Sequence, residues 1–293
     1  MGFENKKITM LTDGTEERDF LYDEDCSEAI EVLIKNYDKF NSDDNIHITT
    51  FKYTKIIEKI EIIKKNTSNK INVSCSDVSI DEEENIVFKA ATLLKKVTDR
   101  NVGANIKIIK NIPTGAGLGG GSSNAASTIC ALNKMWGLGL SQNEMMLIGL
   151  DLGADVPLFI KGDNAFGGGV GEQLLPKKPI DNKLIIISPN IFNSTREMFE
   201  LFDSQEEPDN LLSQQNSFWK VFIEKSREIK EFYEKNSENF EICLSGTGSS
   251  MFIKYDNHLE REKILKIIPA NWRFFLAKPL QYSPLKSLDS NGV

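Results

Sequence analysis

The chain has 293 residues, of which 40% are hydrophobic and 27% charged, and a formal net charge of −8. At roughly 100–200 residues per domain, this length predicts one large or two ordinary globular domains, and two is the expectation adopted. The acidic balance, concentrated in the run Asp81-Glu82-Glu83-Glu84, gives no basic field for a nucleic acid, and no apolar stretch reaches the ~18 residues of a membrane span. Met1 to Lys7 are polar and precede no long apolar segment, which predicts a cytoplasmic protein. Cys26, Cys75, Cys130 and Cys243 lie far apart without a C-x-x-C spacing and read as buried, reduced thiols. With His47 and His258 as the only histidines, a zinc site or a Ser-His-Asp triad lacks material.

In chain order, Cys26, Ile30, Leu33 and Tyr37 share one face of an early helix. Val87, Ala90, Ala91 and Leu94 mark a second, with acids before its start and Lys95-Lys96 at its end, as the helix dipole favours. Ala104 to Ile108 alternates as a half-buried strand does, and Pro113 marks the turn after it. Beyond a glycine-rich stretch, Ala125, Ile129, Leu132 and Trp136 line one helical face until Gly137 stops the run. Ser141 and Glu144 form a capping box for a helix ending near Gly153, and Asp155 follows. Lys183 to Ser188 reads as a strand and Phe218 to Tyr233 as one charged amphipathic helix. Ile242-Cys243-Leu244 and Met251-Phe252-Ile253 read as strands around a small-residue loop. Strands and helices interleave without a regular βαβ rhythm, so a two-domain α+β architecture is predicted, with its boundary near residues 170–182.

The chemistry concentrates between Pro113 and Ser123, in Pro-Thr-Gly-Ala-Gly-Leu-Gly-Gly-Gly-Ser-Ser. Glycine removes the Cβ that holds a ligand away from backbone amides, and the helix behind supplies unpaired N–H groups and partial positive charge. Such a loop binds anionic oxygens, and the hydroxyls of Ser122 and Ser123 can reach a phosphate or a bound magnesium ion. A tight-packing glycine turn is the plain alternative. The stretch is not a Walker A, since no lysine follows the glycines, and it lacks the acidic residue of a dinucleotide fold.

Three segments together, Pro113 through Ala126, Gly153-Ala154-Asp155-Val156-Pro157 and Ser245-Gly246-Thr247-Gly248-Ser249, resemble the GHMP small-molecule kinases, in particular the branch acting on a cytidyl-methylerythritol substrate. Glu84-Asn85-Ile86-Val87, Gly169-Val170-Gly171-Glu172 and the stretch from Ser194-Thr195 to Phe199 extend the likeness over residues ~51–293. The resemblance implies a ribosomal protein S5 domain 2-like ATP-binding domain over residues 51–175 and a ferredoxin-like domain over 176–293. It also implies ATP and Mg2+ as cofactors and phosphorylation of the substrate's 2-hydroxyl in the non-mevalonate isoprenoid pathway. On it, Lys110, Pro113, Thr114, Gly115, Ala116, Gly117, Leu118, Gly119, Gly120, Gly121, Ser122 and Ser123 hold the nucleotide. Asp155 is the catalytic base, and Phe199 stacks on the substrate's cytosine. The Ser245–Ser250 loop is expected beside the phosphates.

The family opens with a Pro-Ala-Lys-Ile-Asn-Leu-like strand, whose lysine partners the aspartate, and with an Asp-Gly-Tyr-His motif. Neither occurs here. Lys6 and Lys7 lack the surrounding pattern and read as a solvated terminus, while residues 12–50 resemble a fragment of a sugar-nucleotide epimerase and make residues 1–50 an atypical segment. Loss of an electrostatic partner commonly costs several kcal/mol in a transition state, so two readings stay open. One is an active kinase, of this or of a mevalonate or homoserine type; the other is a chain that binds nucleotide without turnover.

Overall fold

The computed structural model describes residues 59–65, 69–178, 182–189, 191–204, 216–280, 282–283 and 285–286. The readings made for Lys6, Lys7, Cys26, His47 and residues 12–50 lie outside these. The chain divides into two units between Lys55 and Ile56, and every described residue belongs to the second.

The first layer of this unit holds strands β1 (Lys59–Lys65), β2 (Ile71–Cys75) and β3 (Gly103–Ile109) in the order β1-β3-β2. β1 runs antiparallel to β3, with Ile62 opposite Ile106, whereas β2 runs parallel, with Val73 opposite the same residue. A parallel pair needs a crossover, and helix α1 (Ile86–Val97) supplies it. Asn85 caps α1 by accepting from the Val87 N–H at 3.0 Å, and Lys95 and Lys96 occupy its last turn. Its buried face is Val87, Ala90, Ala91 and Leu94, the set that the periodicity picks out.

Helix α2 (Gly120–Trp136) buries Ala125, Ile129, Leu132 and Trp136 and ends at the left-handed Gly137. Helix α3 (Gln142–Leu150) opens on the Ser141–Glu144 capping box, with both reciprocal bonds made. The short helix α4 (Val156–Lys161) follows. Leu94, Ile106, Ile108, Ile129 and Leu132 are fully buried where these helices meet the sheet. Each such side chain contributes about 1.5–3 kcal/mol relative to exposure.

A hairpin, β4 (Ala165–Gly168) and β5 (Gln173–Pro176), leads to the second layer. There β6 (Lys183–Ser188), α5 (Thr195–Asp203), α6 (Trp219–Glu224), α7 (Arg227–Asn236), β7 (Ile242–Leu244), β8 (Met251–Tyr255), α8 (His258–Ile267) and β9 (Arg273–Ala277) follow one another. All strand pairs are antiparallel and the sheet order is β7-β8-β6-β9. Strand, helices, two strands, helix and strand in that order make the split βαβ arrangement of ferredoxin-like folds. The α+β expectation is met.

Two expectations need correction. The helix predicted over Phe218 to Tyr233 is two, α6 and α7, broken at Ser226, which is extended at φ −144°. Lys225, at the break, reaches Glu197 of α5 at 3.0 Å, a bond that an unbroken helix would redirect. Cys75, Cys130 and Cys243 form no disulfide among the described residues, but each is only partly buried. Among the described residues, no helix is long and apolar enough to cross a membrane.

Candidate active site

β3 delivers the chain to Lys110, and the glycine loop closes onto the start of α2. Within it Gly115, Gly117 and Gly119 have φ of +70°, +68° and +67°, the last being the N-cap of α2. Every second residue is thus left-handed, which turns successive peptides into a concave nest of amides. The space is closed to side chains as well. A Cβ on Gly115 would meet the Phe192 ring, one on Gly117 the backbone of Ser245 and Gly248, and one on Gly119 the Phe159 ring.

The carbonyls of this loop are engaged by the second layer. Gly115 O accepts from the N–H groups of Asn193 (3.4 Å) and Ser249 (3.3 Å), and Ala116 O from that of Ser250 (3.0 Å). Gly117 O accepts from the Ser245 hydroxyl at 2.8 Å. By contrast, the N–H groups from Gly115 to Gly119 have no protein acceptor among the described residues. Beyond them lie the first N–H groups of α2, which a helix cannot satisfy internally and which carry its positive dipole end. The loop is therefore a row of donors with its acceptors already used, the electrostatic shape of a phosphate cradle.

The other expected nucleotide residues surround it. The Lys110 N–H donates to Ser76 Oγ at 2.8 Å, Pro113 fixes the turn, and the Thr114 hydroxyl donates to Asp77 Oδ2 at 2.8 Å. Ala116 is buried, and Leu118 and Ser123 line a cavity of about 770 Å³ shared with Ile62 and Phe159, so Leu118 is a wall residue. Gly120, Gly121 and Ser122 form the first turn of α2, and Ser123 closes its first hydrogen bond onto Gly119 O at 2.9 Å.

Asp155 stands at the N-cap position of α4, yet its side chain makes no capping bond and is exposed. Asp155 therefore does not serve as a side-chain cap of α4. Among the described residues no cation pairs with it. Its place is set from two sides. Gly171, in the β4–β5 turn at φ +118°, packs so closely on Ala154 that any Cβ would strike the Ala154 carbonyl. Glu172 accepts from the Val170 N–H at 2.7 Å, and bonds from its own N–H and that of Val170 hold its carboxyl below the usual range. On the other side Phe159, one turn after Asp155, packs on Gly119. α4, which opens on Asp155, thus adjoins the last left-handed glycine of the loop through its Phe159 ring.

Phe199 is half-exposed on α5 and sits edge-on against Phe218, with ring centroids 4.8 Å apart. Thr195, one turn earlier, lies 3.4 Å from Thr247 by their hydroxyls, which ties α5 to the Ser245–Ser249 loop. Sequence reasoning missed Asn193, which is 2% exposed and bonds Gly115 O and, through Nδ2, Thr247 O. It missed Ser76 and Asp77 as well. A visible signal for the latter was the Asp-x-Ser spacing of an Asx turn. Among the described residues no cluster of three or more His, Cys, Asp or Glu could cage a metal ion.

A chain with this fold and cradle is a small-molecule kinase of the GHMP class. Residues 85–163 match the family described as GHMP kinases N terminal domain. The 4-diphosphocytidyl-2-C-methyl-D-erythritol kinase of Pasteurella multocida is 34% identical over 233 residues, covering 77% of this chain and 79% of that one. The same-named kinase of Haemophilus ducreyi is 33% identical over 247 residues, covering 81% and 86%. The chain belongs to the 4-diphosphocytidyl-2-C-methyl-D-erythritol kinase family. In fold it is similar to a solved 4-(cytidine 5'-diphospho)-2C-methyl-D-erythritol kinase, at TM-score 0.60 and 23% identity over 77% of this chain and 87% of that one. It is also similar to the homoserine kinase of Cytophaga hutchinsonii, at TM-score 0.60 and 12% identity over 77% and 86%.

Proposed function

We propose that the chain transfers the γ-phosphoryl group of ATP to the 2-hydroxyl of 4-diphosphocytidyl-2-C-methyl-D-erythritol. The observation that carries this reading is the row of amides from Gly115 to Gly119, without an acceptor among the described residues, packed through Phe159 against the helix that opens on Asp155. The amides hold the triphosphate, and Asp155 accepts the hydroxyl proton as the new O–P bond forms and the bond to ADP breaks. Ser122 and Ser123 supply hydroxyl oxygens beside the phosphates. The same two hydroxyls would lie beside a Mg2+ ion bound with the nucleotide, which would supply charge neutralisation for the transferred group. Lys110 flanks the nucleotide. Phe199, exposed on α5, stacks on the cytosine. Residues 51–175 serve as the nucleotide-holding domain and 176–293 as its partner, in a cytoplasmic enzyme.

A second reading, nucleotide binding without turnover, is favoured by one observation: the Pro-Ala-Lys-Ile-Asn-Leu-like strand, whose lysine partners the aspartate in the family, does not occur in this sequence. A coupled ADP-release assay with the cytidyl substrate and magnesium separates the two. Turnover that drops by about 10³-fold or more in Asp155→Asn supports the first. ATP binding with no turnover in the unmodified chain supports the second. Preference for mevalonate or homoserine in the same assay would overturn the cytosine role of Phe199.

A further inference from the structure

We propose that Ser76 and Asp77 form a clasp that sets the entrance of the phosphate cradle, making Asp77 a positioning residue for the nucleotide. The proposal rests on the reading of the loop as an ATP site.

β2 and β3 run parallel, so their carboxyl ends emerge side by side, with Cys75 opposite Ile108. The Ser76 N–H extends this ladder to Ile108 O at 3.0 Å. From there two consecutive side chains reach across to the segment that enters the loop. Ser76 Oγ accepts from the Lys110 N–H at 2.8 Å, at the start of that segment. Asp77 Oδ2 accepts from the Thr114 hydroxyl at 2.8 Å, at its end. Residues 110–114 are thus held at both ends, immediately before the first left-handed glycine.

Asp77 is itself fixed. Its other oxygen, Oδ1, accepts from the Ser79 hydroxyl at 2.6 Å and the Ser79 N–H at 3.1 Å, which closes an Asx turn. A carboxylate anchored on one oxygen offers the other in a single direction. Hydroxyl-to-carboxylate bonds are also among the stronger hydrogen bonds of proteins. The Lys110 ammonium adds attraction to the same carboxylate. The consequence reaches past the turn, because Thr114 immediately precedes Gly115, whose amide begins the cradle. The Thr114 hydroxyl is thereby committed to the protein, and its contribution to the phosphates is to place its neighbour's N–H. Positioning of this kind is where displacements of about 1 Å become expensive.

The test uses the full chain and direct ATP binding by calorimetry, alongside KM for ATP and kcat. Asp77→Ala and Thr114→Val are each expected to weaken ATP binding about tenfold, the size of one lost charge-assisted bond. KM is expected to rise more than kcat falls. The double variant should bind no worse than either single one, and Thr114→Ser, which keeps the hydroxyl, should restore affinity. ATP affinities within twofold of the parent, or losses that multiply in the double variant, would overturn the clasp. An unmodified chain that binds no ATP would overturn the ATP-site reading, and the clasp with it. If Asp77→Ala fails to fold, the Thr114→Ser and Thr114→Val pair carries the same comparison.

Discussion

Gly117 shows at the scale of one residue how the cradle is built. Its φ of +68° belongs to glycine, and its missing Cβ leaves room for the backbone of Ser245 and Gly248. Gly117→Ala therefore adds left-handed strain, about 1–3 kcal/mol, to a collision with main chain that cannot rotate away. The expected outcome is a lower urea midpoint and ATP binding weakened by more than tenfold in the same calorimetric titration. Asp77 makes a prediction about acidity. The Ser79 hydroxyl, then the Thr114 hydroxyl, and then the Ser79 N–H and the Lys110 charge, hold its carboxyl below the usual aspartate range. A carboxylate lowered in the native state stabilises it above the unfolded pKa and loses that contribution as pH falls through the native one. The difference in urea midpoint between the parent and Asp77→Asn should thus be present at neutral pH and close at pH values below the ordinary aspartate range.

At the scale of elements, the proposed function depends most on the placement of α4, which carries Asp155 at one end and is only six residues long. A helix this short does not hold itself together. Its carboxyl end is held by the chain's last described segment. The Ser283 N–H donates to Gly162 O at 2.7 Å, Asn164 Nδ2 to Leu280 O at 3.4 Å, and Lys286 pairs with Asp163. Ending the chain after Pro279 should lower kcat by about tenfold and weaken ATP binding by less, since α4 touches the cradle only through Phe159 while the loop carbonyls are held by the second layer. Stopped-flow turnover and calorimetry on the truncated chain check this. The elements themselves were mostly legible. The buried faces of α1 and α2, the capping box of α3 and the strand over Lys183–Ser188 all follow from local periodicity and capping chemistry. The break between α6 and α7 was not. Trp219, Phe222, Ile229 and Phe232 keep helical spacing across it, so the periodicity carries no sign of the extended Ser226.

In the whole unit, the two layers meet at the site, and the bonds that join them shape it. Gly115, Ala116 and Gly117 give their carbonyls to Asn193, Ser245, Ser249 and Ser250, residues from the second layer. The composition of the loop and the helix after it are local properties, so the sequence by itself determined that a glycine-rich turn opening onto a helix lies between Pro113 and Ser123. It determined too that Asp155 stands just after a helix. Which side of that turn presents donors was decided only by tertiary structure, because the acceptors are taken up by partners as distant as Ser245, 128 residues along the chain from Gly117. The same holds for Asp77 and Thr114, 37 residues apart. Hydrogen bonds of this range follow from how parallel strands and stacked layers bring remote segments together, and no periodicity in the chain encodes them.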